Sequence, residues 1–251
     1  MSNFFLDLPI IQRGIIGHRG ISAFAPENTL AGFRKATQFG LSWVEFDIQR
    51  CATGEWVLFH DEKLERTTNG TGFVIDTPYQ TLQTLDAGSW FHSQFKNERV
   101  PSLQHTLSCL ADLKLHPNIE LKVFAQPLTV EAIADFLNVL QNAWPKNLPP
   151  PLVSSFDLKS LKILRLLDNK LPLGYIVRDP TESTLDEIIA AGFDSLHCDN
   201  QNFSMALLGK ATSKSIALPV LVYTVNDPNR IKALLQSGVT AVFSDVTDVI
   251  V

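Results

Sequence analysis

The chain has 251 residues, a formal net charge of −5 and 45% hydrophobic residues. That length suits one large domain or two small ones, and the apolar share is that of an ordinary globular core. A slightly acidic chain with no Lys/Arg cluster offers no footprint for nucleic acid or for an anionic membrane surface, which leaves a small-molecule substrate as the expectation.

The opening segment, MSNFFLDLPIIQR, has no basic n-region, carries Asp7 within its apolar stretch and lacks a small-residue cleavage signal, so no secretory signal is expected. No apolar run reaches the roughly 18 residues that a bilayer span requires. Cys51, Cys109 and Cys198 are odd in number and scattered, without the spacing of a disulfide framework or a zinc-thiolate site. The expected location is cytoplasmic.

Ile15-Ile16-Gly17 reads as a short buried strand that ends at His18-Arg19-Gly20. Pro26-Glu27-Asn28-Thr29 punctuates the chain, and Asn28 or Thr29 can cap a helix running to about Phe39. Trp43 to Ile48 is a second strand with Glu45 and Asp47 at i and i+2, hence on one face. The Gly-containing turn from Cys51 to Glu55 suits a hairpin, which returns Trp56 to Phe59 and delivers His60 and Asp61 beside Asp47.

From residue 62 to 100 the pattern dissolves into Thr, Asn, Gly and Asp. So long an irregular segment within a compact domain is usually functional, often a lid. Alternation then resumes. Helices are predicted over 102–113, 127–142, 157–167, 181–191, 202–214 and 227–237. Strands are predicted over 117–123, 151–155, 172–177, 194–197, 218–223 and 240–244. With the first two strands this makes eight, the pattern of an α/β protein of the TIM-type (β/α)8 barrel class with a small insertion after the second strand. Residues 1–251 are expected to form a single barrel domain, with 62–100 as a lid-like insertion.

Barrel sites lie at the C-terminal ends of the strands. His18, Glu45, Asp47, Glu120 and Lys122 all fall on or just past such ends, and the hairpin adds His60. Glu120 and Lys122 are again i and i+2. Three carboxylates in one cavity repel one another and call for a cation; all-oxygen donors favour Mg2+, Ca2+ or Mn2+. The competing reading pairs each carboxylate with Arg19, Lys122 or a backbone amide. Two histidines near one cavity can divide acid and base work. Arg19 can grip phosphoryl oxygens through its planar fork, or pair with Asp47 or Glu27, and Lys122 can add a point charge. His92, His105, His116 and His197 read as structural, with His197 at a predicted strand end.

The run HRG, PENT, EFD and HD, followed in order by LERTTNGTG, LDAGSWF, IELK, LVSSF and LVYTVND, resembles the glycerophosphodiester phosphodiesterase family, its cytosolic bacterial members above all. The resemblance spans nearly the whole chain. It implies a (β/α)8 barrel and one divalent cation on Glu45, Asp47 and Glu120. It implies His18 and His60 as general acid and base, with their order open, and a cyclic phosphate that opens to glycerol 3-phosphate. Arg19, Lys122, Trp90, Phe91 and Tyr223 are the expected substrate-binding residues. One departure is Val123, where proline commonly follows the IELK lysine. A barrel acting on intact phospholipid is disfavoured by the lack of a basic or amphipathic anchor, and a barrel that only binds its ligand by the complete acid and base set.

Overall fold

The computed structural model describes residues 14–124, 127–213 and 218–247. The opening segment read above and the predicted helix end at residue 214 lie outside them. Strands are β1 Gly14–Gly17, β2 Trp43–Arg50, β3 Trp56–Leu58, β4 His116–Leu121, β5 Leu152–Ser155, β6 Leu173–Val177, β7 Ser195–Asp199, β8 Val220–Tyr223 and β9 Ala241–Ser244. Helices are α1 Leu30–Gln38, α2 Tyr79–Leu82, α3 Leu103–Leu113, α4 Val130–Ala143, α5 Leu158–Leu167, α6 Glu182–Ala191, α7 Met205–Ser213 and α8 Pro228–Ser237. The sheet runs β1-β9-β8-β7-β6-β5-β4-β2-β3, and a β1–β2 pairing closes it. Among the described residues all the barrel strands are parallel, and β3 is antiparallel, on β2. This is the TIM-type (β/α)8 fold.

Alternation along each strand separates two cores, as period-two side chains must. Ile16, Trp43, Leu152, Leu221, Ala241 and Phe243 fill the barrel interior. Ile15, Val44, Phe46, Ile48, Val153, Val222 and Val242 point the other way and pack under the helices. A third cluster, with Leu64, Val74, Leu82, Ala87 and Val100, gives the insertion its own small core against Val57 and Phe59.

Helix starts follow the expected capping chemistry. Thr29, Ser102, Thr129, Asp157, Thr181 and Asp227 each accept a backbone N–H of the first turn of their helix. Thr29 is thus the cap of α1, and Asn28 is released for another purpose described below. The hairpin strand ends at Leu58, one residue earlier than predicted, and β4 ends at Leu121, which leaves Lys122 just beyond it. Lys122 N–H still donates to Ile48 O at 3.0 Å, so its side chain keeps the face it would have had in the strand. No helix among the described residues is long and apolar enough to cross a membrane.

His116 and His197 are both buried, and they set an acid limit. His116 lies against the Trp43 ring, centroids 4.0 Å apart, with Nε2 3.0 Å from Pro150 O. His197 lies inside the barrel, its Nε2 3.0 Å from Ser195 Oγ, where Gly174 leaves it room; a Cβ there would come within 2.3 Å of that nitrogen. Burial pushes the His116 imidazole down to about 4 and that of His197 to about 3. Below about pH 6.5 the unfolded chain takes up protons that these folded residues refuse, so the stability they contribute is complete above that pH and drains away toward pH 3–4. Denaturant titrations should show each costing about 1.5 kcal/mol between pH 6.5 and 5. His116→Gln should remove its share of that slope.

Candidate active site

The C-terminal end of the barrel carries the acidic cluster. Glu45 and Asp47 project from β2 on one face, and Glu120 sits on β4 in register with Asp47. Carboxylate oxygens of the three lie within 4.8 Å of one another, the spacing of a shared cation. Glu45 and Asp47 are buried and Glu120 nearly so.

Partners for most of these oxygens are protein groups. Lys122 Nζ is 2.9 Å from Asp47 Oδ1 and 2.5 Å from Glu120 Oε1. Asp47 Oδ2 also accepts from Asn28 Nδ2 at 2.9 Å and lies 3.5 Å from Arg19 Nε. Asn28 Oδ1 in turn accepts the Asp47 N–H, so one amide side chain grips both ends of this aspartate. Glu45 Oε2 accepts the Arg19 backbone N–H at 2.9 Å, while Glu45 Oε1 is buried with no hydrogen-bond partner. An unpartnered buried carboxylate oxygen beside two other carboxylates is a group that could hold a divalent cation.

Charge in the cluster is correspondingly unbalanced. Burial raises the Glu45 carboxyl well above the usual range, and Asp47 and Glu120 add to it. Burial also lifts Glu120, against Lys122, to about 7. Asp47 goes the other way, because Lys122 and Arg19 outweigh its burial. Two cations therefore stabilise one carboxylate fully and leave the other two short of positive charge.

Each histidine is anchored through Nδ1 by a carboxylate. His18 follows β1 at a sharp turn that needs Gly17, since a Cβ there would lie 2.0 Å from Gly20 O. Its Nδ1 is 2.7 Å from Asp245 Oδ1, just past β9, and its Nε2 faces Glu45 Oε2 at 4.0 Å. Asp245 is itself fixed by Ser22 Oγ and by Asn226 Nδ2 at 2.7 Å. His60 Nδ1 is 2.6 Å from Asp61 Oδ1. Gln49, next on the Glu45/Asp47 face, donates to Phe59 O and Asp61 O at 3.1 and 2.7 Å and so clamps the backbone on either side of His60. Burial lowers the His60 imidazole, with Asp47 opposing.

Arg19 adopts the left-handed region at φ 52° and donates from Nη1 to Glu27 at 2.8 Å while lying beside Asp47, so both of its expected carboxylate partners are present. A small cavity of about 40 Å³ is lined by His18, Glu45, Glu120, Phe156, His197 and Tyr223, among others. Tyr223 Oη is buried without a partner, and its ring meets Phe156 edge-on at 6.0 Å. Trp90 and Phe91 are not among the lining residues. They lie in the insertion, where Phe91 stacks edge-on between Trp90 and Phe95 and Trp90 Nε1 donates to Ala87 O. The sequence does not single out Asp245, Asp61, Gln49 or Asn28 as site residues. Asp61 stands in the HD pair and Asn28 in PENT, but the other two carry no local signal.

The profile of the glycerophosphoryl diester phosphodiesterase family matches residues 18–249. A glycerophosphodiester phosphodiesterase of Bacillus altitudinis is 30% identical over 93% of this chain and 95% of its own. One from Caldanaerobacter subterraneus is 28% identical over 92% and 93%. Among solved structures, an Oleispira antarctica phosphodiesterase in complex with its product sn-glycerol-3-phosphate superposes with a TM-score of 0.87 at 35% identity, covering 93% of this chain and 92% of that one. The chain belongs to the glycerophosphoryl diester phosphodiesterase family and is a phosphodiester hydrolase.

Proposed function

We propose that the protein hydrolyses glycerophosphodiesters to glycerol 3-phosphate and an alcohol in a metal-dependent reaction, with His18 and His60 as general acid and base. The observation that carries this reading is the convergence of the unpartnered Glu45 Oε1, its two neighbouring carboxylates and a histidine anchored through Nδ1, which leaves Nε2 free toward the cavity. The product held by the Oleispira antarctica relative agrees with the substrate class.

Glu45, Asp47 and Glu120 would hold the cation, which supplies positive charge against the phosphoryl oxygens when bound. Arg19 and Lys122 add charge from the protein side, the first through a planar fork and the second as a point charge. One histidine takes the proton of a free glycerol hydroxyl, whose oxygen attacks phosphorus. The bond from phosphorus to the departing alcohol breaks, and the other histidine protonates that oxygen. Water then opens the cyclic phosphate with the two roles exchanged, so each histidine ends the turnover as it began. Trp90, Phe91 and Tyr223 are assigned to substrate contact, with Trp90 and Phe91 brought in by an insertion that acts as a lid on this single barrel domain. The cysteines and the modest acidity suit a cytoplasmic enzyme.

Purified protein, stripped with chelator and resupplied singly with Mg2+, Ca2+ or Mn2+, should release glycerol 3-phosphate from glycerophosphocholine or glycerophosphoethanolamine only after metal is restored. Absence of release with every metal, from folded protein, would sink the proposal. Asp245→Asn keeps the shape of the His18 anchor but removes its charge, and should lower kcat by roughly 10²-fold through misalignment and loss of imidazolium support. Steady-state kinetics at saturating substrate checks this.

A further inference from the structure

Arg66, in the insertion, sits between two carboxylates that each hold a residue of the site. Its Nη1 and Nη2 donate to the Glu27 carboxylate at 2.7 and 2.8 Å. Its Nε and Nη2 donate to Asp61 at 2.5 and 3.0 Å. Glu27 also accepts from Arg19 Nη1, and Asp61 is the anchor of His60 Nδ1. A continuous chain of charge-assisted bonds thus runs from the Arg19 guanidinium through Glu27, Arg66 and Asp61 to the His60 imidazole.

The arrangement uses what is peculiar to a guanidinium. Four bonds along two edges of one plane hold two carboxylates at a fixed mutual angle, which the ammonium of a lysine cannot do. The Arg66 backbone is itself well seated. Leu64, Thr67 and Thr68 around it are buried, Leu64 N–H donates to Gly72 O, and Thr68 Oγ1 donates to Leu64 O at 2.7 Å. By contrast Asp61 is partly exposed, so without Arg66 its carboxylate is free to turn to water and release the His60 ring. Arg66 is 45% exposed, and exposed ion pairs contribute little to stability. What it supplies is alignment.

We propose that Arg66 is a positioning residue that fixes the His60 ring and the Arg19 guanidinium together, through Asp61 and Glu27, and so makes the insertion part of the catalytic framework. This rests on the roles given to His60 and Arg19 under Proposed function. Arg66→Ala should lower kcat on glycerophosphocholine at saturating metal by about 10²-fold, the scale of a small misplacement of reacting groups. Its melting temperature should stay within about 3 °C of wild type. Arg66→Lys should recover only a minor part of the rate. In a His60→Ala background the loss caused by Arg66→Ala should shrink to about threefold, because the ring it positions is gone. A full loss repeated in that background would overturn the proposal, as would Arg66→Ala or Arg66→Lys within twofold of wild type beside an inactive His60→Ala. Wild-type turnover by His60→Ala alone would instead overturn the underlying reading, and with it this one.

Discussion

His60→Ala and His18→Ala are each expected to lower kcat by about 10²–10⁴-fold, the range associated with loss of a positioned general acid or base. Neither ring is a packing element. His60 is partly exposed at the end of the hairpin and His18 stands at the turn after β1, so removal should leave the fold intact. Both rings have Nδ1 committed to a carboxylate and therefore present Nε2 as the one nitrogen able to exchange a proton with a bound diester. Because the two histidines act as a pair in each half-reaction, the double variant should be little worse than either single variant. The measurement is release of glycerol 3-phosphate under saturating metal, with circular dichroism confirming the fold. Wild-type rates from both single variants would exclude the mechanism.

The second large effect is expected at the acidic cluster. Glu45→Gln should abolish metal-restored turnover, while the ion-free protein melts higher than wild type, on the order of 2–6 °C. The reason is that burial, Asp47 and Glu120 all oppose a charge on Glu45, and a neutral amide of the same shape relieves them. Glu120, lifted by its burial to about 7, makes the complementary statement about pH. Below that value its proton competes with the cation, and the raised Glu45 carboxyl acts in the same sense, so affinity should rise as the pH climbs through about 7, with proton release on binding. Calorimetry in buffers of different ionisation enthalpy reads that release directly, and Glu120→Gln should reduce it. A metal affinity unchanged from pH 5.5 to 8 would contradict the assignment.

Much of this site was legible because it rests on short-range geometry. Glu45 with Asp47, and Glu120 with Lys122, share a face by the period of a strand, and the hairpin turn that returns His60 is written in five residues. Eight strands alternating with helices were enough to imply closure. What sequence did not yield depends on contacts far apart along the chain. His18 and Asp245 are separated by 227 positions and meet only because β1 and β9 pair. Gln49 reads as an ordinary strand residue until the loop it clamps is placed.

Closure of the sheet also has a consequence for how the molecule comes into being. β1 meets β2 only through Gly17 and Val44, whereas it pairs with β9 along its whole length. As the chain leaves the ribosome, β1 therefore waits with an almost bare edge until β9 has been made, a long-range step that is slow to form. His18 acquires the carboxylate that orients it in that same step. A nascent chain stopped short of β9 lacks the Asp245 anchor of His18, so full activity should arrive only once that strand is in place.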